Sequence, residues 1–148
     1  MRRVVVTGLG IYSCIGKSLD EVSASLRAGV SGIGIDGSRL DFGFRSPLTG
    51  LLEVPELKPL LDRRKRISLS EQGKYAYLST LDAVKDASLS SENCSSSDTG
   101  VIFGNDSCAR EVISDYDTIR QAGDTQMVGS SSVFRTMNST VSMNLATI

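Results

Sequence analysis

Histidine is absent from all 148 residues. A serine or cysteine nucleophile activated by histidine therefore cannot be assembled within this chain. Cysteine is scarce: Cys14, Cys94 and Cys108 are odd in number and irregularly spaced. That pattern predicts reduced thiols in a cytoplasmic protein rather than a disulfide framework, and it does not supply the ligand set of a zinc site. Net charge is −1, so no overall field marks a nucleic-acid binder. No apolar run approaches the roughly 20 residues of a membrane helix. The N-terminus carries Arg2 and Arg3 but passes directly into a β-branched run and a glycine turn, which is not a signal-peptide pattern. No internal repeat is visible at periods of about 20–50 residues.

What is present has the size of one ordinary domain, with 40% hydrophobic residues. Residues 2–7 read as a strand buried on both faces, because Val4, Val5 and Val6 run without alternation. Gly8 and Gly10 break the run, Gly16 closes the turn, and Ser18 with Glu21 forms a capping box for a helix. Strand, glycine turn, helix is the opening of an α/β domain. Two ligand motifs come close here and fail. Gly8 and Gly10 fit Gly-x-Gly, but Ser13 stands where a dinucleotide fingerprint needs its third glycine. Gly16, Lys17 and Ser18 end like a phosphate loop, yet the opening glycine would be residue 11, which is Ile11.

The first helix is expected over Leu19–Ala28, with Leu19, Val22 and Leu26 on one face and Gly29 ending it. Residues 29–50 are glycine-rich and irregular, with Phe42 and Phe44 alternating as in a short strand. Asp62 precedes the basic run Arg63, Arg64, Lys65 and Arg66, which reads as a solvated lead-in to the next helix. That helix is expected over residues 69–87, opened by a capping box of Ser68 and Glu71, with Tyr77, Leu81 and Val84 as its core stripe. Residues 88–97 form an exposed loop, and residues 99–103 a second buried strand. Val112, Ile113, Tyr116 and Ile119 step at helical spacing to Gly123, and residues 131–148 are weakly helical.

Four stretches, in this order, resemble the β-ketoacyl carrier-protein synthases, which condense acyl chains in fatty-acid and polyketide synthesis. They are Val5, Thr7, Gly8, Leu9 and Gly10; Asp62, Arg63 and Arg64 with the helix that follows; residues 100–104; and residues 128–147, with Met137, Ser139, Val141, Ser142 and Leu145. The pattern looks nearest to the elongating bacterial enzymes. The resemblance implies a thiolase-like α/β fold, layered αβαβα, of which residues 1–148 would be the N-terminal half. The family's nucleophilic Cys would then lie about one strand beyond Ile148, and its two His and its Lys further on, so this stretch alone would be inactive. Without partners for its apolar strands it would also be marginal as an independent fold and prone to association.

The resemblance also implies sites within the chain. Arg63 and Arg64, with Lys65 and Arg66 adding charge, match a patch that docks acidic acyl carrier proteins. The family's second basic cluster matches residues 121–128, where this chain has no Lys or Arg. Met137 matches a position in an acyl tunnel completed by the partner of a homodimer; Phe134 lies one turn before it and Ser107 stands at a gate segment. No metal or organic cofactor is implied, because the phosphopantetheine arm arrives with the carrier; the other partners would be acyl and malonyl thioesters, with no nucleic acid and no membrane. Two other readings stay open: a non-catalytic ketosynthase-like partner chain that binds an acyl carrier, and a nucleotide-binding α/β domain built on the glycine turn.

Overall fold

A computed structural model describes residues 3–148; Met1 and Arg2, the latter at the start of the expected first strand, lie outside the described residues. The chain divides into two compact units. One comprises the residues through Val54 together with Leu78–Ser90, the other Pro55–Tyr77 with Ser91–Ile148.

In the first unit, helix α1 spans Leu19–Ala28, as its local signals require. Ser18 Oγ accepts from Glu21 N at 3.2 Å, while the Glu21 carboxylate accepts from Lys17 N at 2.7 Å. Gly29 takes the left-handed conformation at φ 65°, and Gly29 N and Val30 N donate to Leu26 O and Ser25 O. These paired bonds are a Schellman ending, which needs a residue without a Cβ penalty at the turn. Of the expected apolar face only Val22 is buried; Leu19 and Leu26 are exposed.

The excursion after α1 is more ordered than its composition suggests. Strand β1, Ile33–Ile35, pairs antiparallel with β2, Leu48–Gly50, in the register Ile33 to Gly50 and Ile35 to Leu48. Between them lies the short helix α2, Gly37–Asp41, capped by Asp36, whose Oδ1 accepts from Ser38 N at 3.0 Å. The strand expected at Phe42 and Phe44 does not form. Phe42 is the C-cap of α2, Gly43 turns the chain at φ 76°, and the Phe44 ring lies 4.6 Å from the Arg39 guanidinium. An aspartate cap and a glycine turn override an alternation of only two aromatic residues.

Helix α3, Arg63–Ser68, is capped by Asp62, which accepts from Lys65 N at 2.9 Å; the basic run is thus itself helical. Helix α4 spans Glu71–Asp86, but its cap is Ser70, whose Oγ accepts from Gly73 N at 3.3 Å. The expected Ser68–Glu71 capping box is absent because Ser68 Oγ is engaged elsewhere, its one hydrogen shared between Lys65 O and Asn144 Oδ1, each at 2.8 Å. Along α4, Tyr77 is buried with Ala76, whereas Leu81 is exposed and Val84 half-buried. Helix α5, Ser91–Cys94, interrupts the exposed serine-rich segment. Helices α6 (Ala109–Ala122), α7 (Ser132–Thr136) and α8 (Thr140–Thr147) complete the second unit. The weakly helical tail is therefore two helices broken at Met137, whose ψ of 139° is extended. The core of this unit is Leu57, Leu61, Leu69, Ala76, Tyr77, Cys108 and Val141. The expected stripe on α6 does not join it: Val112, Ile113, Tyr116 and Ile119 are exposed.

Neither expected buried strand is formed. Among the described residues the only named strands are β1 and β2. Val4 is 96% exposed and Ile102 is 99% exposed. A strand exists only by sharing hydrogen bonds with a neighbour, and no described residue supplies a ladder to either run.

The glycine turn instead packs on a helix. A Cβ on Gly8 would stand 2.4 Å from Ala83 O, and one on Gly10 only 1.9 Å from Ser79 O. Leu9 N donates to Asp86 Oδ2 at 2.9 Å, fixing the segment on the C-terminal half of α4. Gly10→Ala must displace helix backbone, so it should lower the free energy of unfolding by about 1–3 kcal/mol. Chemical denaturation of the two proteins checks this; coincident midpoints would show that the close approach is not kept in solution.

Candidate functional site

At the glycine turn Ser18 Oγ accepts from Glu21 N and the Glu21 carboxylate from Lys17 N, and the Lys17 ammonium donates to Glu53 Oε2 at 2.8 Å. That hydrogen bond raises Lys17 above its ordinary pKa and lowers Glu53 below the ordinary carboxylate value. Both groups are open to solvent, so the pair adds little to stability. An open groove of about 650 Å³ beside this turn is lined by residues including Cys14, Lys17 and Glu53. Cys14 and Cys94 are exposed free thiols and Cys108 is a buried one. Among the described residues no group of His, Cys, Asp or Glu is placed to hold a metal ion, and no helix is long and apolar enough to cross a membrane.

The basic helix has two kinds of residue. Lys65 Nζ donates to Ile148 O at 3.1 Å and Arg66 Nε to Leu61 O at 3.0 Å, so these two stems are half-buried against the unit. Arg63 and Arg64, in the first turn of α3, are exposed and form no ion pair among the described residues. Cations in a first helical turn oppose the helix dipole, and nothing in packing asks for them there.

Helix α7 packs against α3 and α6. Its Arg135 bridges two carboxylates of α6: NH2 lies 3.5 Å from Asp115 Oδ1 and Nε lies 4.0 Å from Glu111 Oε2. Ser132 Oγ donates to Asp115 Oδ2. Glu111 Oε1 in turn accepts from Glu71 N at 3.2 Å, and the Glu71 carboxylate pairs with Arg110 and accepts from Tyr75 OH at 2.9 Å. Glu71 thus serves this network rather than a capping box. The sequence carried a signal for it. Glu111 and Asp115 are like charges at i, i+4, which repel unless a cation lies between them.

Of the three residues expected around an acyl chain, Ser107 and Met137 are brought close to one thiol. Cys108 Sγ donates to Met137 O at 3.2 Å, and Gln72 Nε2 donates both to Ser107 O at 3.1 Å and to Cys108 Sγ at 3.2 Å. Phe134 sits on α7, exposed. Met137, where the chain leaves the helical path, is 41% exposed. Cys108 precedes α6 without a side-chain cap, and its hydrogen is spent on a carbonyl; no described base stands beside it. Sequence reasoning singled out neither Gln72 nor Arg135.

Asp115→Ala should leave Ser132 Oγ without its acceptor and Arg135 with Glu111 alone, in a part-buried setting, and cost about 1–3 kcal/mol. Glu92→Ala on the exposed α5 should stay within about 0.5 kcal/mol. Urea melts of both variants check the contrast; equal effects would remove the α6–α7 network from the stability of this unit.

Comparison with known proteins places these elements. Residues 1–148 match the family model described as the β-ketoacyl synthase N-terminal domain. The chain is 35% identical over 148 residues to 3-oxoacyl-[acyl-carrier-protein] synthase 1 of Haemophilus influenzae, covering 99% of this chain and 36% of that one. It is 38% identical over 149 residues to the Escherichia coli strain K12 protein of the same name, again covering 99% and 36%. A crystal structure of a β-ketoacyl synthase from Burkholderia phymatum superposes with a TM-score of 0.84 at 28% identity over 99% of this chain and 36% of that one. The ishigamide ketosynthase/chain length factor follows at a TM-score of 0.78 and 24% identity, a likeness of fold, over the same shares. The chain thus spans about a third of the length of the relatives it matches.

Proposed function

Because the chain belongs to the β-ketoacyl synthase family through its N-terminal domain, with a thiolase-like α/β fold, we propose that it forms the first part of a β-ketoacyl-[acyl-carrier-protein] synthase of fatty-acid synthesis. In this reading the whole enzyme is an acyltransferase. It loads an acyl group on a cysteine, decarboxylates a malonyl-carrier thioester with the help of two histidines, and joins the two. The described residues supply none of that chemistry. They supply what precedes it: docking of the carrier and the wall of the acyl site. No metal or organic cofactor belongs to the proposal, since the phosphopantetheine arm comes with the carrier. The protein would work as a homodimer in the cytoplasm, where its three thiols stay reduced.

The observation that carries the docking role is the exposed, unpaired state of Arg63 and Arg64 at the open end of α3. Two cations with no structural duty are suited to a transient acidic partner. Reversing both, Arg63→Glu with Arg64→Glu, in the full natural polypeptide should slow carrier association by about tenfold at low ionic strength. The difference should shrink toward physiological salt as the charges are screened. Stopped-flow association measures it, and equal rates at low salt would sink the assignment.

Ser107, Met137 and Phe134 are assigned to the acyl site and its dimer-facing rim. The support is that the Met137 backbone oxygen accepts from Cys108, the residue after Ser107, and that the Met137 side chain is partly exposed. A thioether adapts to chains of varied shape. Met137→Phe should shift the products toward shorter acyl chains, read by mass spectrometry of the carrier-bound products. An unchanged distribution would move the tunnel elsewhere. Failure of the wild-type polypeptide to condense acyl and malonyl thioesters would overturn the function itself.

A further inference from the structure

Helix α3 is six residues long, Arg63–Ser68, and its first four residues are cations. A helix this short has little stability of its own. Positive charge in its first turn adds to the positive end of the helix dipole. Asp62 offsets part of this at the N-terminal end, accepting from Lys65 N at 2.9 Å. The other end needs donors from outside, because the last carbonyls of a helix find none within it.

One such donor comes from α8. Asn144 Nδ2 donates to Ser68 O at 3.1 Å, and Asn144 Oδ1 accepts from Ser68 Oγ at 2.8 Å. One carboxamide thus holds the last residue of α3 by backbone and side chain together. The carboxamide is fixed in turn, because Nδ2 also bonds Thr140 O at 2.9 Å and Thr140 Oγ1 at 3.0 Å. Lys65 Nζ adds a second tie to the same helix, through Ile148 O at 3.1 Å. Leu61 and Leu69 flank α3 and are both buried. Apolar burial is non-directional, so the direction in which α3 leaves the unit rests on the hydrogen bonds.

We infer that Asn144 is a positioning residue for carrier docking: acting from α8 as the C-terminal cap of α3, it keeps Arg63 and Arg64 at a fixed place on the surface. This rests on the proposed function, in which those two arginines meet the acidic carrier. Asn144 itself is out of the carrier's reach, with 3% of its surface exposed, so its effect has to pass through α3. Neither arginine forms an ion pair among the described residues that would fix it independently. A patch that is already ordered spares the complex the cost of ordering it on contact.

The test uses the full natural polypeptide carrying these residues, as wild type, Asn144→Leu, Ser68→Ala and Ser68→Thr. Ser68→Ala removes the hydroxyl with the smaller risk to folding, and Ser68→Thr restores it. Hydrogen exchange reads the cap, and kcat/KM for malonyl-carrier and for malonyl-pantetheine reads its consequence, since the second substrate brings no carrier to dock. Asn144→Leu and Ser68→Ala should speed exchange at residues 65–69. The ratio of kcat/KM for the carrier-borne over the carrier-free thioester should fall in Asn144→Leu by about tenfold, the lower end of what local electrostatic steering commands. Ser68→Ala should lower it in the same direction, and Ser68→Thr should recover it. Added to Arg63→Glu with Arg64→Glu, Ser68→Ala should lower the ratio little further. A purely structural role would depress both substrates alike and preserve the ratio, and that result would overturn the inference. So would unchanged exchange in a folded Ser68→Ala protein, or a full further fall in the charge-reversed background, which would place the effect outside the two arginines. A wild type whose ratio does not respond to reversal of Arg63 and Arg64 would overturn the proposed docking, and with it the role of Asn144.

Discussion

Asn144 is only 3% exposed, and a carboxamide so placed must have its polar atoms bonded or lose the free energy of their hydration. Its Nδ2 donates to Ser68 O at 3.1 Å, to Thr140 O at 2.9 Å and to Thr140 Oγ1 at 3.0 Å; its Oδ1 accepts from Ser68 Oγ. Much of the second unit follows from this requirement. It pins α8 to the last turn of α3, with Val141 beneath it in the core. It takes Ser68 away from α4, so Ser70 becomes the cap and Glu71 is released to pair with Arg110. The start of α3 is set separately by the Asp62 cap, which leaves Arg63 and Arg64 exposed in the first turn.

What could be read from the sequence divides along the range of the forces involved. Helix α1 was legible to the residue because Ser18, Glu21 and Gly29 act within a turn of their own positions. Helix α6 was legible for the same reason, ending at Gly123 in the left-handed conformation. The runs at Val4 and Ile102 were legible as apolar and β-branched, but a strand is completed by a distant partner, and nothing in either run names one. The capping box at Ser68 failed through a bond to a residue 76 positions away. The excursion failed differently: Asp36 and Gly43 carried the cap and the turn, and two phenylalanines drew the reading toward a strand instead.

The candidate site was legible in its charges and its family pattern, and much less so in its joints. Arg63 and Arg64 stand out in any reading because exposed cations need no partner to be recognised. Cys108 does not stand out, since a buried thiol looks like a small apolar residue until its neighbours are known. Gln72 is one polar residue on the flank of a long helix. The pairing of Glu111 with Asp115 was the one readable omission, because acidic residues one helical turn apart call for a cation, and Arg135 supplies it from α7.

For the proposed docking role, attraction has to come from local placement, because the net charge of the chain is only −1. A net charge of −1 gives an acidic partner no reason to approach one face rather than another. Direction has to come from a cluster that keeps its charge at a fixed place. Lys65 and Arg66 are engaged with backbone carbonyls, which orient them without neutralising them. Asp62 accepts from the Lys65 amide as the α3 cap and forms no ion pair with Arg63 or Arg64 among the described residues. The four cations are consecutive residues of one short helix. Two of them are tied to backbone oxygens and two are exposed to solvent. In the proposed role, exposed charges of this kind favour fast capture and fast release over tight binding.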